Sequence, residues 1–308
     1  MTPKRQKAAK PKPARPASRL PRAEVGILGG TGLYEVEGIE NLRETRLTTP
    51  FGDPSDAYLL GRLEGREVAF LSRHGRGHRY LPMEINYRAN IYGFKMLGVE
   101  RVLSVNSCGS LKKEIKPKDI VISDQFFDRT HRRNTFFGGG VAAHIGFAQP
   151  VCSDLAATLT RAGREMGLRI HPRGVYLCIE GPAFSTKAES NIYRQWGCDV
   201  IGMTAATEAK LCREAEICYA SLNLVTDYDV WHEEEETVSV ELILQNLRAN
   251  VEHAKAVIRK TLASLGPRAA CGCDCATALR NVIVTAPRLI PDSLKKKLGP
   301  LVKGHLPG

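Results

Sequence analysis

Two carboxylates stand two residues apart at the end of a long uncharged segment. The segment Cys218–Asp229 carries no charge before Asp227 and Asp229. Its length and its small and apolar residues are typical of a strand buried on both faces of a covered parallel sheet. Ligands of such sheets bind beyond the carboxyl ends of the strands, where this pair would lie. Taken alone, the segment fits equally well a strand followed by a solvated acidic turn, because four glutamates follow at 233–236.

Two other strand ends carry groups that bind oxyanions. The glycine loop 29–33 contains Thr31, and its backbone amides can approach an anion closely. The loop has neither the spacing of a dinucleotide fingerprint nor the lysine of a P-loop. The loop 73–78 begins with Arg73 and His74, and arginine binds oxyanions with two parallel hydrogen bonds. The alternative for this second loop is a basic surface turn.

Further polar groups follow two more predicted strands. Asn106 and Ser107 come directly after the predicted strand 102–105, and Thr204 ends the predicted strand 200–204. If these strands share one sheet, the side chains meet at one edge and supply hydroxyl, amide, guanidinium and imidazole groups. Such a set is suited to a phosphate without a metal ion.

Three residues near the same predicted edge are suited to a nucleoside. The ring of Phe184 can stack on a flat base, and Met203 can pack under a sugar. A carboxylate such as Asp227 can accept a hydrogen bond from an exocyclic amine or share a proton with a ring nitrogen.

The elements that must position these groups alternate along the chain. Strands and helices alternate over about 240 residues, which predicts an α/β fold with a largely parallel sheet. The predicted strands are 23–28, 66–72, 102–105, 119–123, 174–179, 200–204 and the segment from Cys218. The predicted helices are 86–97, 153–166, 188–196, 205–214 and 238–265, and a long loop is predicted at 130–146.

Eight short segments, in this order, resemble the methylthioadenosine phosphorylases of the trimeric purine nucleoside phosphorylase family. The resemblance runs from about residue 24 to 260. The segments are Gly-Gly-Thr-Gly-Leu (29–33), Thr-Pro-Phe-Gly-x-Pro-Ser-Asp (49–56), Arg-His-Gly-Arg-x-His (73–78), Asn-Tyr-x-Ala-Asn (86–90), Cys-Gly-Ser-Leu (108–111), Asp-Gln-Phe-x-Asp-Arg-Thr (124–130), Glu-Gly-Pro-x-Phe-Ser (180–185) and Thr-Asp-Tyr-Asp-x-Trp (226–231).

This resemblance implies a three-layer α/β sandwich with a mostly parallel, mixed central sheet. It implies phosphorolysis of 5′-methylthioadenosine to adenine and 5-methylthioribose 1-phosphate, in purine and methionine salvage. Inorganic phosphate is then the co-substrate, with no cofactor and no metal. It also implies a homotrimer, with a hexamer as the alternative, in the cytoplasm.

The resemblance also implies a role for each matching residue. The implied phosphate-binding residues are Thr31, Arg73, His74, Asn106, Ser107 and Thr204. Phe184 and Met203 match positions that pack on the base and the sugar, and Asp227 and Asp229 match the pair that holds adenine at N7 and its amino group. His78, and His144 of a neighbouring subunit, match residues around the 5′-methylthio group. Asp227, Asp229 and His74 are the implied catalytic residues. Ala183 departs from the pattern, because relatives usually carry arginine there.

Two other functions remain open from the sequence. A purine nucleoside phosphorylase acting on adenosine, inosine or methylthioinosine would carry most of the same motifs. A dinucleotide-binding oxidoreductase or a nucleotide sensor could use the glycine loop, but no acidic residue about 20 positions further on completes that fingerprint.

The positive charge lies at the ends of the chain. The net charge is +11, yet eight basic residues and no acid lie within residues 1–22, and four lysines lie within 294–308. The intervening body is close to neutral, so nucleic acid is an unlikely partner. Residues 1–22 contain five prolines and almost no large apolar side chains, which predicts a disordered basic tail without a secretory signal. We expect residues 23–308 to form one domain, with 266–308 as a cysteine-containing extension, and no membrane span.

Nine cysteines are present, three of them in the run Cys271-Gly-Cys273-Asp-Cys275. The six others lie mostly in apolar context, where a thiol packs as a small hydrophobic group. The run lacks the paired C-x-x-C spacing of zinc sites. Reduced thiols are the expectation for a cytosolic protein, and a disulfide or redox cluster is the alternative. Some members of the resembling family, thermophilic ones among them, also carry a Cys-x-Cys pair near the C-terminus.

Deletion of residues 1–22 is expected to leave turnover unchanged, because the predicted site lies entirely in the near-neutral body. Steady-state kinetics of the truncated and full-length chains measure this. A severalfold loss of kcat would show that the tail contributes to catalysis.

Overall fold

The computed structural model describes residues 20–30, 38–232 and 240–306. The predicted tail therefore lies outside the described residues up to residue 19, as does Thr31. The strands are β1 (Val25–Gly29), β2 (Glu40–Thr45), β3 (Tyr58–Leu63), β4 (Arg66–Ser72), β5 (Arg101–Ser110), β6 (Ile120–Ile122), β7 (Gln125–Asp128), β8 (Ile170–His171), β9 (Val175–Cys178), β10 (Val200–Gly202) and β11 (Cys218–Asp227). The helices are α1 (Tyr87–Met96), α2 (Ser153–Glu165), α3 (Lys187–Gln195), α4 (Ala205–Glu214), α5 (Val240–Ser264) and α6 (Asp292–Leu298).

The described strands form one mixed sheet. Its main path runs β2-β3-β4-β1-β5-β10-β9-β7, and β11, β6 and β8 form a branch that starts on β5. Six of the ten strand pairs are parallel. The predicted α/β architecture with a largely parallel sheet is therefore confirmed.

Helices cover both faces of this sheet. On one face α2 and α5 pack on β11, with Leu159 and Val257 in their shared core. On the other face α1 packs against α4, where Phe94 and Leu211 belong to a second core. The result is three layers, which the sequence predicted through the family resemblance.

Strand β11 lies at the centre of the sheet, and all ten of its residues are buried. This confirms the prediction that the segment from Cys218 is covered on both faces. Its one buried amide, Asn223, donates to the carbonyl of Val121 at 3.0 Å and to the hydroxyl of Ser123 at 2.9 Å. A buried polar side chain satisfied in this way fixes the position of the strand without the cost of an unpaired group.

Strand β5 differs from its prediction. We expected a strand at 102–105 followed by a loop that carries Asn106 and Ser107, but the strand continues to Ser110. It continues because β11 pairs with it as far as Gly109. On its other edge, β1 pairs only up to Ser104 and β10 only from Gly109 onwards. Among the described strands, the residues between these two points therefore have no neighbour on one edge, called here the open edge, although they belong to a strand.

Strands β2, β3, β7 and β8 were not predicted, whereas β4 was predicted at 66–72. Strand β2 is polar and mostly exposed, so it has no apolar run to reveal it. Strands β3 and β4 form a hairpin whose turn residues, Glu64 and Gly65, both have positive φ, the geometry of a type I′ turn. Within the described ranges, no helix has both the length and the apolar character needed to cross a membrane.

Candidate active site

A cavity of about 500 Å³ opens where β1 and β10 leave the edge of β5. This is a switch point of the sheet, the position at which open α/β sheets bind ligands. The volume is in the range of small-molecule sites. Ten of the twelve predicted site residues line it: Arg73, His74, His78, Asn106, Ser107, Phe184, Met203, Thr204, Asp227 and Asp229.

The two other predicted residues are not among the described residues that line the cavity. Thr31 lies outside the described residues, although its neighbour Gly30 lines the wall. His144 is exposed in the long loop 130–146 and is not part of the lining. As predicted, that loop contains no helix or strand among the described elements. The described chain therefore does not place His144 at its own cavity.

Arg73 is held by a buried carboxylate. Its guanidinium is almost fully buried and makes a two-point contact with Glu208, through Nε to Oε1 and through Nη2 to Oε2 at 3.1 Å. Nη2 also donates to the hydroxyl of Ser104 at 2.7 Å, and Nη1 donates to the carbonyl of Val105 at 3.0 Å. These contacts occupy four of the five N–H groups of an arginine. The remaining N–H is on Nη1, which faces Gly30, so Arg73 can offer an anion one hydrogen bond and not the bidentate grip expected from the sequence.

The imidazole of His74 is a fixed neutral group. Its Nδ1 lies 2.8 Å from the carbonyl of Tyr80, a contact that requires a proton on Nδ1. Burial and the nearby charge of Arg73 lower the pKa of His74 to about 4. The ring is stacked on that of His78, with the centroids 4.1 Å apart. At neutral pH, Nε2 is therefore a hydrogen-bond acceptor, which suits a protonated phosphate oxygen.

The open edge of β5 carries a polar network. The hydroxyl of Thr204 donates to Oδ1 of Asn106 at 3.0 Å, and Nδ2 of Asn106 donates to Asn223 at 3.2 Å. This network connects the start of α4 to β5 and β11. It positions Asn106 and Thr204 side by side on the cavity wall, beside the Arg73 and Glu208 pair.

A chain of hydroxyls leads from this edge to the carboxylates. Ser107 Oγ lies 3.3 Å from Thr226 Oγ1, and Thr226 Oγ1 donates to Oδ2 of Asp227 at 2.7 Å. Thr226 Oγ1 also lies 3.2 Å from the carbonyl of Cys108, but we assign its one hydrogen to the shorter contact with Asp227, which makes Ser107 the donor in the first contact. The chain therefore joins the anion-binding edge to the carboxylate by two hydrogen bonds.

The two carboxylates are placed by an irregularity of β11. The register between β5 and β11 shifts between Val225 and Asp227, which brings Asp227 opposite Gly109. Such a bulge re-aims a side chain. A Cβ atom on Gly109 would lie only 2.9 Å from Oδ1 of Asp227, so only glycine allows this approach. The backbone N–H of Asp229, a residue with φ of 53°, donates to the same Oδ1 at 2.8 Å.

Asp229 has an acid strength suited to proton chemistry near neutral pH. Burial raises the pKa of its carboxyl to about 6, the hydroxyl of Ser190 opposes this rise, and the charge of Asp227 adds to it. Ser190 Oγ donates to Oδ2 of Asp229 at 2.5 Å. Carboxyls with raised pKa values in a cavity are a common feature of active sites.

The apolar walls come from the loop after β9 and from β10. Phe184 lines the cavity yet is 49% exposed, so it stands at the mouth. The sulfur of Met203 passes so close to Gly181 that a Cβ there would overlap it. Ala183 is exposed and is not part of the lining.

Three positioning residues were missed in the sequence: Arg132, Ser190 and Glu208. Arg132 donates from Nη1 to the carbonyls of Pro82 and Met203 at 3.1 and 2.9 Å, so it ties together two walls of the cavity. Ser190 and Glu208 lie on α3 and α4, where nothing in the local pattern separates them from ordinary helix residues. Only the packing of those helices on the sheet reveals their partners.

Comparisons with known proteins agree with this geometry. The profile of the phosphorylase superfamily matches residues 24–263. The S-methyl-5′-thioadenosine phosphorylase of Koribacter versatilis is 52% identical over 278 residues, which cover 90% of this chain and 94% of the relative. The enzyme of the same name from Geobacter sulfurreducens is also 52% identical, over 92% of this chain and 99% of its own length.

Solved structures give the same result. A methylthioadenosine phosphorylase from an antarctic soil metagenomic library superposes with a TM-score of 0.85 at 45% identity, over 91% of this chain and 99% of the other. The methylthioadenosine phosphorylase of Schistosoma mansoni, solved in complex with adenine, gives 0.76 at 36% identity, over 79% of this chain and 91% of the other.

Replacement of Ser190 by alanine is expected to raise the pKa of Asp229 above its value of about 6. The serine donates to the ionised carboxyl, and such a bond contributes about 1.5–3 kcal/mol, so the pKa should rise by about 1 to 2. Titration of the side-chain ¹³C signal of Asp229 measures this directly. Ser264→Ala removes a hydroxyl at the end of α5 and should leave the titration unchanged. An unchanged titration in Ser190→Ala would contradict the assigned hydrogen bond.

Proposed function

This chain belongs to the phosphorylase superfamily, and we propose that it is an S-methyl-5′-thioadenosine phosphorylase. It is an enzyme that transfers a pentosyl group from a purine to phosphate, a reaction of purine and methionine salvage. The observation that carries this proposal is the composition of the cavity: anion-binding groups and a pair of carboxylates line the same space.

The reaction places opposite demands on the two ends of the cavity. An oxygen of phosphate attacks C1′ of the ribose while the bond from C1′ to N9 breaks, and its electron pair stays on adenine. The sugar becomes cationic and the leaving base becomes anionic in the transition state. The protein must therefore hold phosphate in line with C1′ and protonate the base. Positioning of this kind lowers the activation free energy by several kcal/mol.

At the phosphate end, we assign Arg73, His74, Asn106, Ser107 and Thr204 as the binding residues. Arg73 supplies one charge-assisted N–H, and the neutral His74 accepts from a P–OH group. The hydroxyls and the amide lie along the open edge of β5. We assign Thr31, which follows the lining residue Gly30, to the same group on the basis of the family pattern.

At the base end, Asp227 delivers a proton to N7 of adenine, and Asp229 accepts from the exocyclic amine. General-acid catalysis of this kind is worth roughly 10²–10⁴-fold in rate. Phe184 covers the base at the mouth of the cavity, and Met203 packs under the sugar. His78, and His144 from a second subunit, are assigned to the 5′-methylthio end.

The hydroxyl chain gives the proton a route between the two ends. Phosphate loses one proton when its oxygen bonds to C1′, and adenine gains one when the bond to N9 breaks. Ser107 and Thr226 connect the phosphate end to Asp227. A proton that passes from phosphate along these hydroxyls reprotonates Asp227 after it has protonated adenine. The reaction therefore consumes no net proton.

The assembly and the compartment follow the family pattern. We propose a homotrimer, or a hexamer built from it, because His144 is exposed and remote from the cavity of its own chain. We propose one phosphorylase domain at 23–308 that carries 266–308 as an extension. The cytoplasm, where the salvage substrates are formed, is the proposed location.

The function is tested by adenine release from methylthioadenosine with and without phosphate, with adenosine and inosine as parallel substrates. Phosphate-dependent release with preference for methylthioadenosine is expected.

Asp227→Ala should lower kcat by roughly 10²–10⁴-fold, because the leaving base is no longer protonated. Asp227→Asn should shift preference toward inosine, because the two N–H groups of its amide can donate to N7 and to the neighbouring 6-oxo oxygen.

The matched control is Asp124→Asn, which changes a half-buried carboxylate outside the lining. Its amide oxygen can still accept from the backbone N–H of Gly174, so full activity should be retained. Release of adenine in the absence of phosphate would show that water attacks the nucleoside, and would contradict the proposed phosphorolysis. A kcat of Asp227→Ala within about threefold of the natural enzyme would remove the general-acid role, because loss of that role costs far more.

Replacement of Thr226 by valine tests the proton route. The substitution keeps the side-chain shape and interrupts the hydroxyl chain, so kcat should fall about 10-fold or more while the KM for phosphate changes little. Ser221→Ala removes a buried hydroxyl of the same strand that lies outside the cavity lining and serves as control. An equal loss in both variants would assign the effect to general destabilisation of β11.

A further inference from the structure

Five thiols from distant parts of the chain meet on the side of the sheet that α2 covers. Cys152 precedes α2, Cys218 begins β11, and Cys271, Cys273 and Cys275 belong to the run near the C-terminus. The sulfur atoms of Cys152, Cys218, Cys273 and Cys275 all lie within 4.8 Å of one another. No second ligand pair for the run is visible in the sequence, because Cys152 and Cys218 are 66 residues apart and share no motif.

The sheet fixes two of these cysteines in place. The backbone N–H of Cys152 donates to the carbonyl of Tyr219 at 2.9 Å, and that of Cys218 donates to Glu100 at 3.0 Å. The run is held less firmly, by short 3₁₀ turns at Arg268–Ala270 and Asp274–Thr277. Gly272 N–H also donates to Asp154 of α2 at 2.6 Å. Two sulfurs therefore belong to a rigid scaffold, and the others come from a segment docked onto it.

We propose that four cysteines form a structural site for one divalent metal ion that prefers sulfur ligands, namely Zn²⁺. The ligands are Cys152, Cys218, Cys273 and Cys275. Four thiolates at about 2.3 Å from zinc in a tetrahedron lie about 3.8 Å from one another. The sulfurs of Cys218 and Cys273 are 3.3 Å apart, and the complete set lies within 4.8 Å, so small rotations of the side chains complete the tetrahedron. Closed four-cysteine sites of this type are structural rather than catalytic.

The surroundings are suited to a negatively charged metal–thiolate centre. Nη1 of Arg268 lies 3.9 Å from the sulfur of Cys273. Its Nη2 is buried and has no hydrogen-bond partner in the described part of the chain. Thiolates around zinc are stabilised by positive charge and N–H donors in the surrounding layer. Arg268 supplies both to the metal-bound form.

A small cavity provides access to the cluster. It has a volume of about 130 Å³, and Cys152 and Cys271 both contribute to its wall. Cys271 lies 3.5 Å from the sulfur of Cys152 and 3.2 Å from that of Cys273. We assign Cys271 as a fifth thiol in the wall of this cavity, where it can bind an incoming ion first and transfer it to the other four.

Metal binding would fasten the C-terminal segment to the sheet. Beyond the cysteines, this segment packs on α1, where Tyr92 donates to the carbonyl of Lys297 at 3.2 Å and Leu298 and Leu301 are buried. Binding replaces four S–H protons by four metal–sulfur bonds, so four protons are released and no electron is transferred. The consequence is stability that depends on metal and not on substrate.

The experiment uses the full chain purified under reducing conditions. Elemental analysis is expected to find one zinc ion per chain. After removal of zinc, addition of Co²⁺ should give the intense visible bands of a tetrahedral tetrathiolate site. Cys273→Ser should weaken Co²⁺ binding by about 100-fold or more, since loss of supporting groups alone costs 10–100-fold. Cys271→Ser should retain the spectrum, and Cys198→Ser, which changes a buried thiol outside the cluster, should retain both spectrum and metal content.

A thiol count separates the metal site from disulfides. For this count the chain is purified without reductant, and denaturation in chelator should expose nine reactive thiols if the cysteines hold a metal. Fewer than nine thiols together with absence of metal would overturn the proposal in favour of disulfide pairs. Nine thiols without metal, and without a tetrathiolate Co²⁺ spectrum, would overturn it in favour of a simple cluster of buried thiols.

Discussion

The buried ion pair between Arg73 and Glu208 is the constraint on which the arrangement of the site depends. It joins the residue after β4 to the first turn of α4, and Ser104 of β5 and Tyr219 of β11 donate to the carboxylate from their hydroxyls at 2.7 and 3.1 Å. Removing two charges from water is costly, and only full hydrogen bonding of both partners offsets that cost. The pair therefore allows one position for α4 on the sheet. Since α4 begins directly after Thr204, that position also sets Thr204 beside Asn106.

The second requirement is an open edge on a central strand. β5 is paired on both sides at its start. Between the end of β1 and the beginning of β10, β11 is its one neighbour among the strands that the structure describes. A ligand can reach backbone and side chains there without leaving the middle of the sheet. The bulge of β11 lies beside the same gap and turns Asp227 towards it. The cavity thus follows from two features of pairing, a gap and a bulge, and not from a loop added to the fold.

The sequence predicted the elements with strong local signals and missed those defined by distant partners. Strand β4, helix α4 and the fully buried β11 were predicted because apolar runs and helical spacing are local properties. The edge strand β2 has no such signal. Asn106 and Ser107 were predicted as site residues because they were expected in a loop after a strand. They lie instead within β5, beyond the point at which the neighbouring strand β1 ends. That ending depends on where β1 stops, which the local sequence around residue 106 does not encode.

The same limit explains the residues that were missed. Glu208, Ser190 and Arg132 act through a partner far away in sequence, so their residue types alone do not distinguish them. The cysteines show the limit most clearly, because the ligands of the proposed metal site come from three separate parts of the chain. Spacing rules detect ligand pairs that are close in sequence, whereas packing assembles ligands from any distance.

We propose that one cavity has an anion end set by Arg73 and Glu208 and a separate base end set by the two carboxylates. Calorimetric titration of Glu208→Gln with phosphate and with adenine distinguishes the two ends. We predict that phosphate affinity falls about 10-fold or more, because a misplaced guanidinium loses its alignment, while adenine affinity is unchanged and reports an intact fold. Unchanged phosphate affinity with weakened adenine binding would contradict the division of the site.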